Sequence, residues 1–328
     1  MTRERTAWAE LTPPFSASFP ARRPLRPRPW TISACQRGPG PKDSGARLAH
    51  RSSICPTCGG LNGADETRCF RCGKPLPGPL GRGLRELFEQ ALGRDYPLTK
   101  LYVGLCLGVF VLMALSSRQF TMLGGGRMSE ALRWGALLGP LGRIEPWRYL
   151  SAMFVHFGAL HVGFNMMALM DFGRLTEQRL GSGRFALIFV LTGVVGFVAS
   201  DFWHAWSGVP VFTAGASGGL FGLTGALVGY LYAARDPAWK QLLMRVAVYA
   251  VIFAVAMSVN NAAHAGGFAV GLPLGYAFYK ERQPWTRARL FQVVGGLLVI
   301  LSLASIGLSQ ASRVWREARA HEIAAGRD

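Results

Sequence analysis

Leu101–Ser117, Tyr149–Met170 and Gly215–Ala234 are runs of 17 to 22 residues without one charged side chain. That is about the length an α-helix needs to cross a hydrocarbon core. A backbone in lipid has no water to bond, so such runs read as helices. Phe185–Ser200 with Asp201-Phe202-Trp203 adds a span, as does Leu290–Ser312. The 34 uncharged residues between Arg245 and Lys280 are too many for one helix. They fit two if the first starts near Ala238, with Lys240 and Arg245 extending their stems to the interface, turns at Ser258–Asn261, and returns as Ala262–Tyr279. The fold class is therefore an all-α polytopic membrane protein, with seven expected spans over 101–312.

Only 16% of side chains are charged, against about 25% in soluble domains. The net charge of +18 suits cytoplasmic loops and an anionic leaflet, so no nucleic acid is expected as a partner. The loops with Arg174, Arg179 and Arg184, then Arg235, Lys240 and Arg245, then Lys280, Arg282, Arg287 and Arg289 alternate with nearly uncharged ones around His204–Val211 and Ser258–Asn261. The basic set belongs inside, which places residues 1–100 in the cytoplasm of a multi-pass protein, read as bacterial inner membrane. Two basic stretches oppose this, falling on the expected outer side: the 118–146 connection and the tail with Arg313, Arg316 and Arg319.

Ahead of the membrane part, residues 1–54 are rich in Pro and Arg and read as disordered. Residues 55–76 carry Cys55-Pro-Thr-Cys58 and Cys69-Phe-Arg-Cys72, two C-x-x-C pairs each followed by glycine. Each pair can aim two thiolates at one cation, so Cys55, Cys58, Cys69 and Cys72 are expected to hold a structural Zn²⁺ with no open coordination position. Such a module docks or regulates; its partner is unknown. Residues 77–100 form a linker and 313–328 a tail.

Ionisable or nucleophilic residues inside spans are costly and mark function. The second span carries His156, His161 and Asn165, the fourth begins Gly215-Ala-Ser217-Gly218, and the sixth begins with Ala263-His264. With the N-terminus inside, spans two, four and six all run inward from the outer face, so His161, Ser217 and His264 share one depth. The chemistry this suits is acyl transfer: Ser217 as nucleophile, His264 as its base, and donors for a tetrahedral oxyanion. Asn165 lies four residues after His161 and faces the same way, whereas His156 lies about 140° round a continuous helix and is expected to face elsewhere or the helix entrance. Gly218, Gly222, Gly225 and Gly229 and, on span six, Gly267, Gly271 and Gly275 are small-residue faces that let two helices approach closely. Asp171 and Asp201 read as solvated carboxylates at span ends.

From Trp147 to Tyr279 the sequence resembles the rhomboid family of intramembrane serine proteases. Trp147-Arg148 matches its loop motif, His156, His161 and Asn165 its H-x₄-H-x₃-N, and Gly173-x₃-Glu177-x₃-Gly181 its G-x₃-E-x₃-G. Gly215-Ala-Ser217-Gly218 matches G-x-S-G, and Ala263-His264-x₂-Gly267-x₃-Gly271 matches A-H-x₂-G-x₃-G. The resemblance implies a six-helix core plus a seventh C-terminal helix, a Ser217–His264 dyad without an acidic third member and without a catalytic cofactor. It implies oxyanion donors at His161 and Asn165, an aromatic at Phe221 against His264, and transmembrane proteins in the bilayer as substrates. Trp147, Arg148 and Glu177 are expected to order the long loop and the inner end of the second span, without chemistry. The rival reading is a non-catalytic relative that binds or traffics membrane proteins, but such relatives generally lack the nucleophile or the base. A metal channel is disfavoured because no carboxylate accompanies the span histidines.

Overall fold

A computed structural model describes residues 53–55, 60–63, 66–76, 78, 87, 90–93, 95–117, 127–139, 141–208, 212–256, 260–281 and 287–326. The Pro/Arg-rich segment up to residue 52 and Cys58 lie outside the described residues. Two short strands, β1 (Ser53–Ile54) and β2 (Leu61–Asn62), pair antiparallel in the cysteine module. The membrane part is helical: α1 (Pro97–Ser117) is followed by the short helix α2 (Met128–Trp134), the strand β3 (Leu137–Leu138), α3 (Leu141–Ile144) and α4 (Arg148–Ser151). Then come α5 (Ala159–Ala168), α6 (Arg174–Leu180), α7 (Ser182–Ser207), strand β4 (Phe212–Thr213) and α8 (Ser217–Ala233). The chain continues through α9 (Ala238–Ala256), α10 (Asn261–Lys280), α11 (Ala288–Ala311) and α12 (Val314–Ala324).

Among the described residues, α1, α7 and α11 are each long and apolar enough to cross a membrane. The second span differs from expectation. Tyr149–Met170 is not one helix: α4 and a 3₁₀ turn at Ala152–Phe154 end in extended backbone at Val155, and the chain bends by 95° before α5. Gly158 is extended as well, at φ −165°. The apolar run is thus shared between a loop segment and a helix that continues to Leu180 through a π-turn at Leu169–Gly173. Uninterrupted hydropathy reports burial in apolar surroundings, not straightness.

α8 sits at the centre, flanked by α7 and α10. A Cβ on Gly267, Gly271 or Gly275 would fall 2.1, 2.0 or 1.8 Å from the carbonyl oxygen of Gly218, Gly222 or Ala226. In return, a Cβ on Gly225 or Gly229 of α8 would fall 2.6 or 2.0 Å from the carbonyl oxygen of Phe268 or Leu272. The two helices therefore meet backbone to backbone, the mode small residues permit in lipid. Gly222 also faces α7, where its Cβ would lie 1.8 Å from Thr192 Oγ1. Gly218 has ordinary space and contributes its carbonyl rather than its missing side chain.

The end of the bundle nearest Ser217 is held by residues far apart in sequence. α12 lies on α2: the Ser129 N–H and hydroxyl donate to Glu322 at 3.0 and 2.5 Å. Arg133 Nε donates to Gln310 Oε1 at 2.9 Å while its guanidinium stands 5.3 Å from the Trp315 ring. The described part of the tail, in α12, and α2 of the 118–146 connection thus lie together, and Arg133 and Arg319 find carboxylates in Glu130 and Glu322.

Candidate active site

Two local features place Ser217 and His264. The chain enters α8 through Gly215 at φ +118°, which side chains rarely adopt, and the Gly215 N–H donates to the Ala152 carbonyl at 2.8 Å. A Cβ there would also sit 2.7 Å from His161 Nε2, so only glycine satisfies both demands. Ser217 is the first residue of α8, and the first N–H groups of a helix have no intrahelical acceptor. α10 starts from Asn260, whose side-chain oxygen accepts from the Ala263 N–H at 3.0 Å. The Asn260 amide donates to Ser200 Oγ at 2.6 Å and Thr213 Oγ1 at 3.0 Å, tying the start of α10 to α7 and β4.

With both helix starts fixed, His264 Nε2 stands 2.8 Å from Ser217 Oγ. One turn beyond Ser217, the Phe221 ring stacks on His264 with centroids 4.2 Å apart and planes 12° apart. His264 is 8% exposed and Ser217 half-buried, and a hydroxyl beside a nitrogen base in such a place is poised for proton transfer.

His161 and His156 lie beside this pair, rings 5.0 Å apart at 62°. Here the helical-wheel expectation is corrected: His156 faces the site. It precedes the start of α5, in the extended stretch after the 3₁₀ turn, so no continuous helix fixes its direction. Its Nδ1 is 3.3 Å from the Phe154 carbonyl and its Nε2 3.5 Å from the Ala216 N–H. A carbonyl can only accept, so Nδ1 carries the hydrogen and Nε2 is left to accept from Ala216. Asn165 is buried on α5, but its amide donates to the His161 carbonyl of its own helix at 2.8 Å, and its Oδ1 has no partner among the described residues.

Residues 143–281 match the Rhomboid domain. The Rhomboid protease GlpG of Enterobacter sp. strain 638 is 32% identical over 201 residues, 58% of this chain and 66% of that relative. The proteins of the same name from Salmonella paratyphi A and Salmonella typhi are each 31% identical over 194 residues, 56% of this chain and 63% of theirs. The chain spans just under two thirds of the length of these curated relatives. Together these matches support the rhomboid family, and with its apolar helices they mark the chain as an integral membrane protein.

Of the residues expected to order the loop and the inner end of the second span, Arg148 is held by buried polar bonds. Arg148 is fully buried: it donates to Glu145 at 2.5 Å, to the carbonyls of Leu132 and Ala136 at 2.7 and 3.0 Å, and to Ser312 Oγ at 3.3 Å. The neighbouring Trp147 Nε1 has no partner among the described residues. Glu177 caps not its own helix but another: it accepts from the Leu98 and Thr99 N–H groups at 3.1 and 2.8 Å, and from the Thr99 and Ser182 hydroxyls at 2.7 and 2.6 Å. A carboxylate at the start of α1 also meets the positive end of that helix. Asp201 is buried rather than solvated, because Arg143 Nε and the Tyr149 hydroxyl donate to it at 3.1 and 2.9 Å and pin the loop to α7.

In the module outside this domain, the sulfurs of Cys55, Cys69 and Cys72 lie within 4.8 Å of one another. The Cys55–Cys72 separation of 3.7 Å exceeds a disulfide's ~2.05 Å. It matches the edge of about 3.8 Å that a tetrahedron with Zn–S bonds of ~2.3 Å demands. The donor set therefore fits a thiophilic ion.

Proposed function

We propose that this chain is an intramembrane serine protease that hydrolyses a peptide bond in or near a transmembrane helix of single-pass or other membrane proteins. The observation that carries it is the 2.8 Å separation of Ser217 Oγ and His264 Nε2 across two helices. Ser217 Oγ attacks the carbonyl carbon as His264 Nε2 takes its proton, then returns that proton to the leaving amine; water attacks the resulting ester by the same route in reverse. The oxyanion is met by the free N–H groups at the start of α8 and by His161, with Asn165 holding His161's helix turn and offering its second amide hydrogen. A substrate helix must unwind before its carbonyl is open to attack, so small or helix-weakening residues are expected near the cut.

The test uses the full chain in detergent with a reporter transmembrane substrate and a fluorophosphonate probe. Cleavage and labelling that vanish in Ser217→Ala support the reading. Labelling absent from the native chain, with the substrate bound but uncut, favours the non-catalytic binding role instead. Orientation rests on loop charges, which put the N-terminus in the cytoplasm and the site toward the outer face. A reporter fused after Ala262 that reads inside overturns it.

The same inference extends to the module. Cys55, Cys58, Cys69 and Cys72 hold a structural zinc, supported by the sulfur spacing and by how little else packs among the described residues: beside the cysteines, the buried apolar cluster there has only Leu76. A unit of this size without an apolar core gains its folding energy from the metal. Metal analysis of the reduced full chain should give one zinc per chain, lost in Cys55→Ser with Cys72→Ser; a native chain without zinc refutes it.

A further inference from the structure

At the other end of α8 a cavity of about 500 Å³ opens between the end of α8, the start of α9 and the end of α10. Three cations line it, one from each element: Arg235 from the turn, Lys240 from α9 and Lys280 from α10. The walls are aromatic. Trp239 meets Tyr232 edge-on at 5.5 Å, Tyr232 lies 6.4 Å from Tyr276, and Lys240 and Lys280 stand at the two ends of this row, 5.7 Å from the Trp239 and Tyr276 rings.

The carboxylates that could neutralise the cations are engaged elsewhere. Asp236 accepts from the Ala238 N–H at 2.9 Å, capping α9, and Glu281 pairs with Arg184 at 2.7 Å. Among the described residues, Arg235, Lys240 and Lys280 have no carboxylate partner. The backbone adds a second sign. Arg235 sits at φ +58°, where the Asp236 N–H closes on the Leu231 carbonyl at 3.0 Å. This is the helix-ending position that glycine fills best. An arginine there accepts strain that glycine would avoid, and strain kept in place points to use of the side chain.

We propose that this cavity binds the phosphate of an anionic phospholipid headgroup. The location suits a lipid: α8 is 17 residues long, so at 1.5 Å per residue the cavity lies about 25 Å from Ser217, near the opposite face of the bilayer. Tyr232 and Tyr276 are 57% and 41% exposed there, as interfacial aromatics are. The loop charges assign that face to the cytoplasm, where anionic lipids attract basic residues.

The experiment takes the full chain in neutral detergent, adds phosphatidylglycerol or phosphatidylcholine of identical acyl chains, and counts retained lipid by native mass spectrometry. The native chain should retain phosphatidylglycerol in preference. Arg235→Gly should cut its retention about fivefold, the contribution of one cation near such a charge, without lowering Tm, since glycine relieves the turn. The combined Arg235→Gly, Lys240→Gln, Lys280→Gln chain should lose the preference, and Lys240→Arg with Lys280→Arg should keep it. Equal retention of the two lipids by the native chain, or a preference unchanged in the triple variant, overturns the proposal. Displacement of phosphatidylglycerol by millimolar inorganic phosphate also overturns the lipid assignment, making the cavity a site for free phosphate.

Discussion

Gly267→Ala adds one methyl group and should disable the proposed protease without touching a reactive residue. Gly267 lies three residues past His264, and its Cβ would fall 2.1 Å from the Gly218 carbonyl oxygen, next to Ser217. Cβ atoms do not come closer than about 3.0 Å to such an atom, and backbone cannot swing aside as a long side chain can, so α8 and α10 must part by about 0.9 Å. That is enough to stretch the 2.8 Å Ser217–His264 contact beyond hydrogen-bond range. A misplacement of about 1 Å in a reacting pair costs on the order of 10²-fold. Cleavage of the reporter substrate in detergent should fall by about that factor, with fluorophosphonate labelling falling in step. Gly104→Ala, which has nothing within 4 Å, is the control and should cleave normally. A folded Gly267→Ala chain cutting within about threefold of the native rate refutes the idea that close helix contact sets the dyad distance.

Other perturbations separate the roles further. His264→Ala should lose activity by several orders of magnitude, and His161→Ala or Asn165→Ala about 10–10³-fold; the reverse order of severity would make His161 the base. Glu177→Gln keeps the shape but weakens three accepted bonds at the start of α1 and one from Ser182 at the start of α7. It should lower stability by about 1–3 kcal/mol, read by thermal unfolding in detergent; an unchanged Tm contradicts the cap. For Glu322, burial alone would raise the carboxyl's pKa, but bonds from Ser129 and the charges of Arg319 and Arg127 outweigh it and hold the value below the ordinary 4.5. A depressed folded-state value stabilises fully above that ordinary value and is lost as pH falls through the lower one. The protection of α12 amides against hydrogen exchange, taken relative to the intrinsic rate at each pH, should therefore fall on acidification below about pH 4.5 in the native chain, and Glu322→Gln should be less protected at neutral pH as well; equal protection in the two chains at pH 7 counts against the contact.

The helices were legible because apolar length is written directly in the sequence, and Ser217, His264 and the glycines stood out as residues a lipid-facing helix has no use for. The break in the second apolar run, a 95° bend, was not legible: residues 155–158 are as uncharged as the start of the helix after them. His156 was misplaced for that reason. Asn260 carried a usable sign, an asparagine four residues before a span histidine, which is the position and type of an N-cap. Arg148 has a near neighbour in Glu145 and Glu177 one in Ser182, but their other partners Ser312, and Leu98 and Thr99, were hidden because they lie across long stretches of chain, and no local pattern marks such pairs.

The Arg148–Glu145–Ser312 triad also sets an order of events during synthesis. Ser312 donates to Glu145 at 2.7 Å and follows Arg148 by 164 residues. At about 5–20 residues per second, the ribosome needs roughly 10–30 s to make that stretch. Through this interval Ser217 and His264 emerge in turn, while the loop beside them lacks its last polar partner and the α12 brace. The nascent chain thus carries Ser217 and His264 before the part that steadies the neighbouring loop, and a ribosome stalled ahead of Ser312 leaves the two beside an unfastened loop.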